Sequence, residues 1–139
     1  MSAPTRVWMP GPVEVEIHLG ADDTGGAFSM LVDQPQPGWA LPGHRHAGES
    51  ETIHVVEGRF ETVIEGTRIQ SGPGDTAHVP RGALHSGSLI GDAPGRRVLV
   101  FAPGGIDRFF REAGAPDPDS LPAPADLLTI AARHGWSFG

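Results

Sequence analysis

The sequence predicts an all-β fold, an antiparallel barrel or sandwich followed by short helices. Short segments alternate apolar with polar residues, and the many Gly and Pro residues, 20 and 14 of 139, fall between those segments. Helical spacing appears only late in the chain. The length suits one domain. We therefore expect a single domain over 1–139, with an extended arm at 1–12, a β-barrel at 13–102 and a helical extension at 103–139.

The arm carries Pro4, Pro10 and Pro12, and Trp8 is its expected anchor. Strict alternation or β-branched composition then predicts the strands. They lie at Val13–Leu19, 28–32, 50–56, 59–65, 67–70 and 97–102, with a further short strand inside 71–85. The turn residues of 21–26 and Gly66 separate some of these segments.

The β pattern ends at Pro103-Gly104-Gly105. Beyond it, apolar residues from Ile106 to Ala113 have the spacing of one face of a short helix. A proline-rich connector over 116–124 follows. Asp126 is the expected N-cap of a last helix over about 127–134, which Gly135 ends.

The stretch from Gly38 to Gly58, GWALPGHRHAGESETIHVVEG, has the composition of a metal site. Side chains at i and i+2 of a strand share a face, so His44 and His46 can present two imidazoles to one ion. Glu51 lies at an odd offset from His46, and a turn or bulge at Gly48 can restore its facing. His85, at the end of the turn-rich segment 71–85, is the candidate for a further ligand.

Other polar residues near these positions have more ordinary expected roles. His18 falls on the polar face of its strand with Glu14 and Glu16, so we expect it to face solvent. Strand parity points His54 away from the cavity, and for His54 and His78 we favour packing or support of a ligand over ligation. Glu49 is the alternative carboxylate ligand. Arg81 and Trp39 are candidates for the mouth of the site, with salt bridging and packing as alternatives.

Composition excludes several other kinds of site. A net charge of −7 argues against nucleic-acid and anionic-membrane binding, and zero cysteines exclude disulfides and thiolate sites. No apolar run approaches a membrane span, and the first residues lack a signal-peptide pattern, so we expect a soluble cytoplasmic protein. The common hydrolase and nucleotide-binding motifs do not occur.

Two segments together resemble the cupin motifs. The spacing of Gly38, His44, His46, Glu51 and Gly58 matches the first motif, and that of Gly74, Pro80, Gly82 and His85 matches the second. The resemblance covers about residues 28–102 and implies a double-stranded β-helix with His44, His46, Glu51 and His85 as ligands of one metal at its centre. Leu89 stands where the second motif usually ends in Asn, a residue that is not a ligand.

The tail, FAPGGIDRFFREAG and a short helix, is similar to that of small single-domain bacterial cupins, including quercetin-dioxygenase-like proteins. This resemblance implies a small-molecule substrate and a homodimer. Three imidazoles and a carboxylate suit one divalent ion among Fe, Mn, Ni, Co, Cu and Zn.

The expected activity is that of a dioxygenase-type oxidoreductase acting on a small oxygenated aromatic or related molecule, with Glu51 also serving as general base. The alternatives are an isomerase or polyketide cyclase that uses no O₂, in which the metal acts as a Lewis acid, and a non-enzymatic small-molecule-binding barrel.

Overall fold

The computed structural model describes residues 3–139 and consists mainly of two antiparallel sheets. The strands are β1 (Thr5–Met9), β2 (Val13–Leu19), β3 (Ser29–Pro35), β4 (Ala40–His46), β5 (Ser50–Glu57), β6 (Arg59–Ile64), β7 (Thr67–Ser71), β8 (Thr76–Val79), β9 (His85–Ile90), β10 (Arg96–Ala102) and β11 (Trp136–Phe138). One sheet has the order β1-β2-β3-β10-β5-β8 and the other β11-β4-β9-β6-β7. This arrangement confirms the predicted double-stranded β-helix.

Alternation along the strands builds the core between the sheets. On β10, Arg97, Leu99 and Phe101 are buried while the residues between them are partly exposed. Ile53 and Val55 on β5 face the same interior. Because the side-chain period of a strand is two, the register fixes which polar groups enter the interior with these apolar ones.

Three strands differ from the predicted pattern. Residues 5–9 of the expected arm form β1, which pairs with β2, while Met1 and Ser2 lie outside the described residues. The segment after His85 is also a strand, β9, although its Ser and Gly residues have low β-propensity. β11 lies beyond the last helix and pairs with β4, so 97–102 is not the final strand and the C-terminal extension ends within the sheet.

Two helices connect β10 to β11. The first, α1 (Asp107–Ala113), buries Phe109, Phe110 and Ala113 as its apolar spacing predicted. The second, α2 (Pro124–Arg133), begins three residues before the predicted start. Asp126 therefore lies in the first turn instead of capping it, because Pro124 occupies the first helical position, where its fixed φ suits a helix start. Neither helix of residues 3–139 is long and apolar enough to cross a membrane.

Candidate metal centre

Three histidines face the interior from one sheet. His44 and His46 share the inner face of β4, and the side chain of Arg45 between them is exposed. His85, the first residue of β9, is the cross-strand partner of His44. Ligand nitrogens of His44, His46 and His85 lie within 4.8 Å of one another, and all three residues are at least 95% buried. This triad could hold a metal ion.

Glu51 reaches the triad from the opposite sheet. It lies on the inner face of β5, and its Oε1 is 3.2 Å from His85 Nε2 and 3.5 Å from His46 Nε2. The chain bends at Ala47 and Gly48 and passes from one sheet to the other. Strand parity therefore starts again on β5, and the odd offset from His46 still brings Glu51 inward. The four residues predicted as ligands lie together between the sheets.

The loop before His85 is held by three hydrogen bonds to His46 and Glu65. The amide of Gly82 donates to the carbonyl of His46, and Glu65 accepts from the Leu84 amide through Oε1 while its own amide donates to the Leu84 carbonyl. Glu65 has a positive φ of 46° in the turn after β6. These contacts set the direction in which β9 begins, and thereby the position of His85.

The histidine hydrogen bonds leave ring nitrogens available to a metal. His44 Nδ1 donates to the carbonyl of Pro42 at 2.8 Å, and His85 Nδ1 donates to that of Ala83 at 3.0 Å. A proton on Nδ1 leaves Nε2 of a neutral imidazole as the lone-pair donor. Backbone carbonyls often orient metal-ligating histidines in this way. The residues thus fit a divalent first-row ion. The backbone carbonyls already orient the rings of His44 and His85 in the absence of an ion.

Electrostatics at the cluster favour a neutral His44 and a charged Glu51. Burial, with the charge of His85 adding to it, lowers the pKa of His44 to about 4. Burial by itself would raise the pKa of Glu51, but hydrogen bonds from His46 and His85 outweigh it and lower that pKa well below its usual range. Burial would lower the pKa of His85, and its hydrogen bond with Glu51 instead raises it.

Glu49 lies on the far side of His46 from Glu51. Its Oε1 is 3.7 Å from His46 Nδ1, and both atoms are buried without a hydrogen-bond partner among the described residues. Burial raises the pKa of Glu49, with the charges of His46 and Arg81 opposing it. The position favours support of the His46 ring over direct ligation, because Nδ1 is the ring nitrogen that points away from Glu51.

Sequence reasoning missed Trp136 on β11. Its ring stacks on His44 with centroids 4.9 Å apart and meets the edge of His46 at 4.4 Å. Phe109 packs against Trp136 at 4.8 Å. The register of β11, with Trp136 opposite His46, places the ring there. The only sign of this strand in the sequence was an aromatic residue directly after Gly135. Three residues are too few to show the alternation of apolar and polar residues that identifies a strand.

The histidine triad and Glu51 border an apolar cavity of about 120 Å³. Its walls include Leu41, Ile53, Leu99 and Phe101 from the sheets and Phe109, Leu127 and Trp136 from the C-terminal segment. The lining also includes a buried ion pair, Arg97 and Asp33. The guanidinium of Arg97 donates to both carboxylate oxygens of Asp33, at 3.0 and 2.6 Å. The cavity thus has a charged group at each end.

Of the other residues singled out in the sequence, three histidines lie off the cavity. His54 and His78 are exposed on the outer face, where they hydrogen-bond Thr76 and Thr52. The outward direction of His54 was predicted correctly. The expected packing or ligand-supporting role was wrong for both His54 and His78, because neither residue packs in the core or contacts a ligand candidate. His18 is partly exposed and bonds Glu16, which is buried despite its predicted solvent-facing position.

The two residues predicted at the mouth differ from each other. Arg81 is exposed, while Trp39 is buried and lies 4.7 Å from the guanidinium of Arg97. Leu89, in place of the usual Asn, is a buried member of the core.

Comparison with known proteins agrees with this architecture. The family model described as "Cupin domain" matches residues 32–101, which contain all four predicted ligands. The chain belongs to the cupin family. It is 33% identical to quercetin 2,3-dioxygenase of Bacillus subtilis over 94 residues, 68% of this chain and 28% of that protein. The chain therefore spans little more than a quarter of the length of that relative.

Solved cupin structures share the fold at lower identity. A predicted oxalate decarboxylase from Thermotoga maritima superposes with a TM-score of 0.64 and 23% identity, covering 73% of this chain and 92% of that one. An RmlC-like cupin from Shewanella frigidimarina gives 0.64 with 19% identity, covering 76% and 88%. At these identities the likeness concerns the fold alone.

Proposed function

We propose that this cupin is a metal-dependent oxidoreductase of the dioxygenase type that acts on a small oxygenated aromatic or related molecule. The observation that carries the proposal is the buried triad of His44, His46 and His85, with nitrogens within 4.8 Å of one another, beside Glu51 and an apolar cavity. The relative at 33% identity is named as a dioxygenase, which supports the same reaction class.

In this proposal the three histidines and Glu51 hold one divalent ion, Fe, Mn, Ni, Co, Cu or Zn. Bound there, a redox-active ion of this group would supply Lewis acidity and a path for electrons between an oxygenated substrate and O₂. Four protein ligands leave coordination positions open at the cavity side for small molecules.

Glu51 has a second proposed role as a general base. Its carboxylate is the acidic group at the triad that also lines the cavity, so a substrate hydroxyl placed beside the histidines lies within its reach. Taking that proton makes the substrate oxygen a stronger metal ligand and electron donor. Glu51 would leave the metal to accept this proton. In the metal-free protein its carboxylate is charged, because hydrogen bonds from His46 and His85 outweigh the effect of burial and lower its pKa.

The cavity walls have a separate task, which is to exclude water. Phe101 lies 5.4 Å from the His46 ring, and Trp136 covers the rings of His44 and His46. In such surroundings charges interact more strongly than in water, and reactive intermediates are protected from hydrolysis.

The first test is metal content. We expect His44→Ala and His85→Ala to lower bound metal, by elemental analysis of natively purified protein, to well below one ion per chain. His54→Ala is the matched control, because it removes a histidine from the outer face of β5 and should leave the content unchanged. Equal metal in all three variants would refute the assignment.

The second test is O₂ consumption by the metal-loaded protein with phenols and flavonols. O₂ uptake that depends on His85 supports a dioxygenase. Turnover without O₂ uptake would instead indicate isomerase or cyclase chemistry, and binding without turnover would indicate an effector-binding barrel.

We also propose that the chain forms a homodimer. The strand β8 is one edge of its sheet, and an edge strand offers backbone groups for pairing with a second copy. The other edge strand, β1, already bonds the backbone of Ala115 through Trp8. Light scattering at the mass of one chain would refute the dimer.

A further inference from the structure

The end of the cavity opposite the histidines carries a polar pair that the metal proposal does not use. Arg97 and Asp33 are both at least 95% buried, on neighbouring strands where they are cross-strand partners. The guanidinium lies between aromatic rings, 4.7 Å from the Trp39 centroid and 4.8 Å from that of Phe60. Such a pair costs desolvation energy that apolar residues would avoid, so it contributes little to stability by itself.

One nitrogen of Arg97 remains available. Its Nε and Nη2 donate to Asp33, while Nη1 has no acceptor among residues 3–139 and is not among the fully buried unpaired atoms. Arg97 is one of the residues that line the cavity, and Nη1 is the donor that it has left for a ligand there. Asp33 neutralises the guanidinium, so this end suits a neutral acceptor such as a carbonyl oxygen.

The two polar ends lie along one strand. Phe101 is the cross-strand partner of Glu51, and Arg97 is four residues earlier on the same inner face of β10. Four residues correspond to about 13 Å of strand. The side chains of both ends project into this interval, and the walls between them, Leu99 and Ile53, are apolar.

The size of the cavity limits what bridges these ends. Its volume of about 120 Å³, compared with roughly 150 Å³ for an apolar cavity that holds one benzene ring, leaves space for no more than one ring, so the polar groups of the ligand would lie beside the histidines and Arg97. A second apolar recess adjoins the cavity, with which it shares the lining residues Pro10, Leu41, Leu127 and Phe138. A three-ring molecule would have to extend into that recess.

We propose that the ligand is a single-ring molecule with metal-chelating oxygens at the histidine end and a carbonyl or similar acceptor oxygen bonded to Arg97 Nη1 at the other end. This inference rests on the proposed metal centre, and it adds the ligand's size and a positioning role for Arg97. The interaction selects the orientation of the ring, because only one end of such a molecule can chelate.

The test measures binding to zinc-loaded protein by titration calorimetry, since zinc has no redox chemistry and the probes stay intact. The probes are catechol, 3,4-dihydroxybenzaldehyde and the three-ring flavonol quercetin. Wild-type protein should bind the aldehyde about tenfold or more tightly than catechol, as expected for a hydrogen bond from a charged donor. Quercetin should bind more weakly than the aldehyde.

The variant is the double substitution D33L/R97M, which replaces the whole pair and leaves no buried charge unpaired. The aldehyde-to-catechol preference should fall by about tenfold, while zinc content and catechol binding stay near wild type. The aldehyde group also changes how strongly the catechol oxygens bind zinc, but this effect is the same in wild type and variant. It therefore cancels when the two aldehyde-to-catechol preferences are compared. Should this pair not fold, D33V/R97L is a second apolar pair that also removes every donor at position 97 and gives the same comparison.

Arg111→Met is the control, because Arg111 is exposed on α1 and is not among the residues that line the cavity, so its loss should leave the preference unchanged. A preference equal in wild type and both pair variants would overturn the role of Arg97, and quercetin binding more tightly than the aldehyde would overturn the single-ring limit. Absence of zinc, or of catechol binding in every variant, would instead refute the metal centre itself and this inference with it.

Discussion

Removal of the Trp136 side chain should weaken both the fold and the metal centre. The ring lies flat on His44, with an interplanar angle of 18°, and touches His46 and Phe109. Trp136→Ala therefore removes the packing that joins β11 to the histidines and to α1. Since β11 has only three residues, this packing is a large part of what keeps it beside β4.

The expected loss of stability follows from the area buried. A buried tryptophan covers about 150–250 Å², and at about 25 cal/mol per Å² the lower figure gives about 4 kcal/mol. Trp136 is only partly buried, and the unfolded chain already hides some of that area, so about 2–3 kcal/mol is expected. For a chain of this size that corresponds to a fall in Tm of roughly 5–10 °C.

The metal effect is separate from the stability effect. Groups that orient metal-binding histidines typically contribute about tenfold or more to metal affinity, and Trp136 restrains two of the rings. Zinc affinity, measured by competition with a chelator at a temperature where the variant is folded, should weaken by about that factor.

Trp8→Ala is the control, because Trp8 is also partly buried but lies on β1, paired with β2. It should lower Tm without changing zinc affinity. If Trp136→Ala left both Tm and zinc affinity at wild-type values, the docking of the C-terminal strand on the histidines would be refuted.

Three further predictions concern neighbouring groups. Glu49→Gln should weaken zinc binding by about tenfold, because a carboxylate facing His46 Nδ1 raises the basicity of that ring, and unchanged affinity would count against its supporting role. Zinc binding in mildly acidic solution should release protons, seen as a buffer-dependent heat. In the metal-free protein the two ring nitrogens of His85 face the Ala83 carbonyl and the Glu51 carboxylate, which raise the pKa of His85 against the effect of burial. Zinc must displace a proton from this ring, so the zinc affinity should fall as the pH drops. A heat that is the same in all buffers would contradict the release of protons. Gly87→Val should cost about 1–3 kcal/mol in unfolding free energy, because even a Cβ there lies 3.2 Å from Trp39, whereas Gly48→Ala, with nothing within 4 Å, should cost little.

Much of the barrel was predictable because alternation is a local signal. The bounds of β2 were predicted without error, and β6, β7 and β10 within one residue. β1, β9 and β11 were missed, because tertiary pairing, and not composition, makes these segments strands. Proline-rich flanks obscured β1, Ser and Gly obscured β9, and three residues are too few to give β11 a period.

The polar lining of the cavity shows a similar division. Spacing in the sequence was enough to find the four predicted ligands, His44, His46, Glu51 and His85, because they belong to two motifs with fixed intervals. Arg97 and Asp33 could not be found in this way, since neither belongs to a spaced motif and their pairing depends on the register of β3 with β10. What sequence reasoning lacked was knowledge of which strands are neighbours, and β10 lies between β3 and β5 despite its distance along the chain.

The pairing of the strands also explains why the candidate metal site spans two sheets. His44, His46 and His85 lie on β4 and β9 of one sheet, while Glu51 lies on β5 of the other, directly after the bend at residues 47–49. A slip of β5 against β10 by one residue would turn Glu51 outward and carry Ile53 and Val55 out of the core with it. The apolar residues of β5 thus hold the carboxylate in place, because the register that buries them is also the register that aims Glu51 at the histidines.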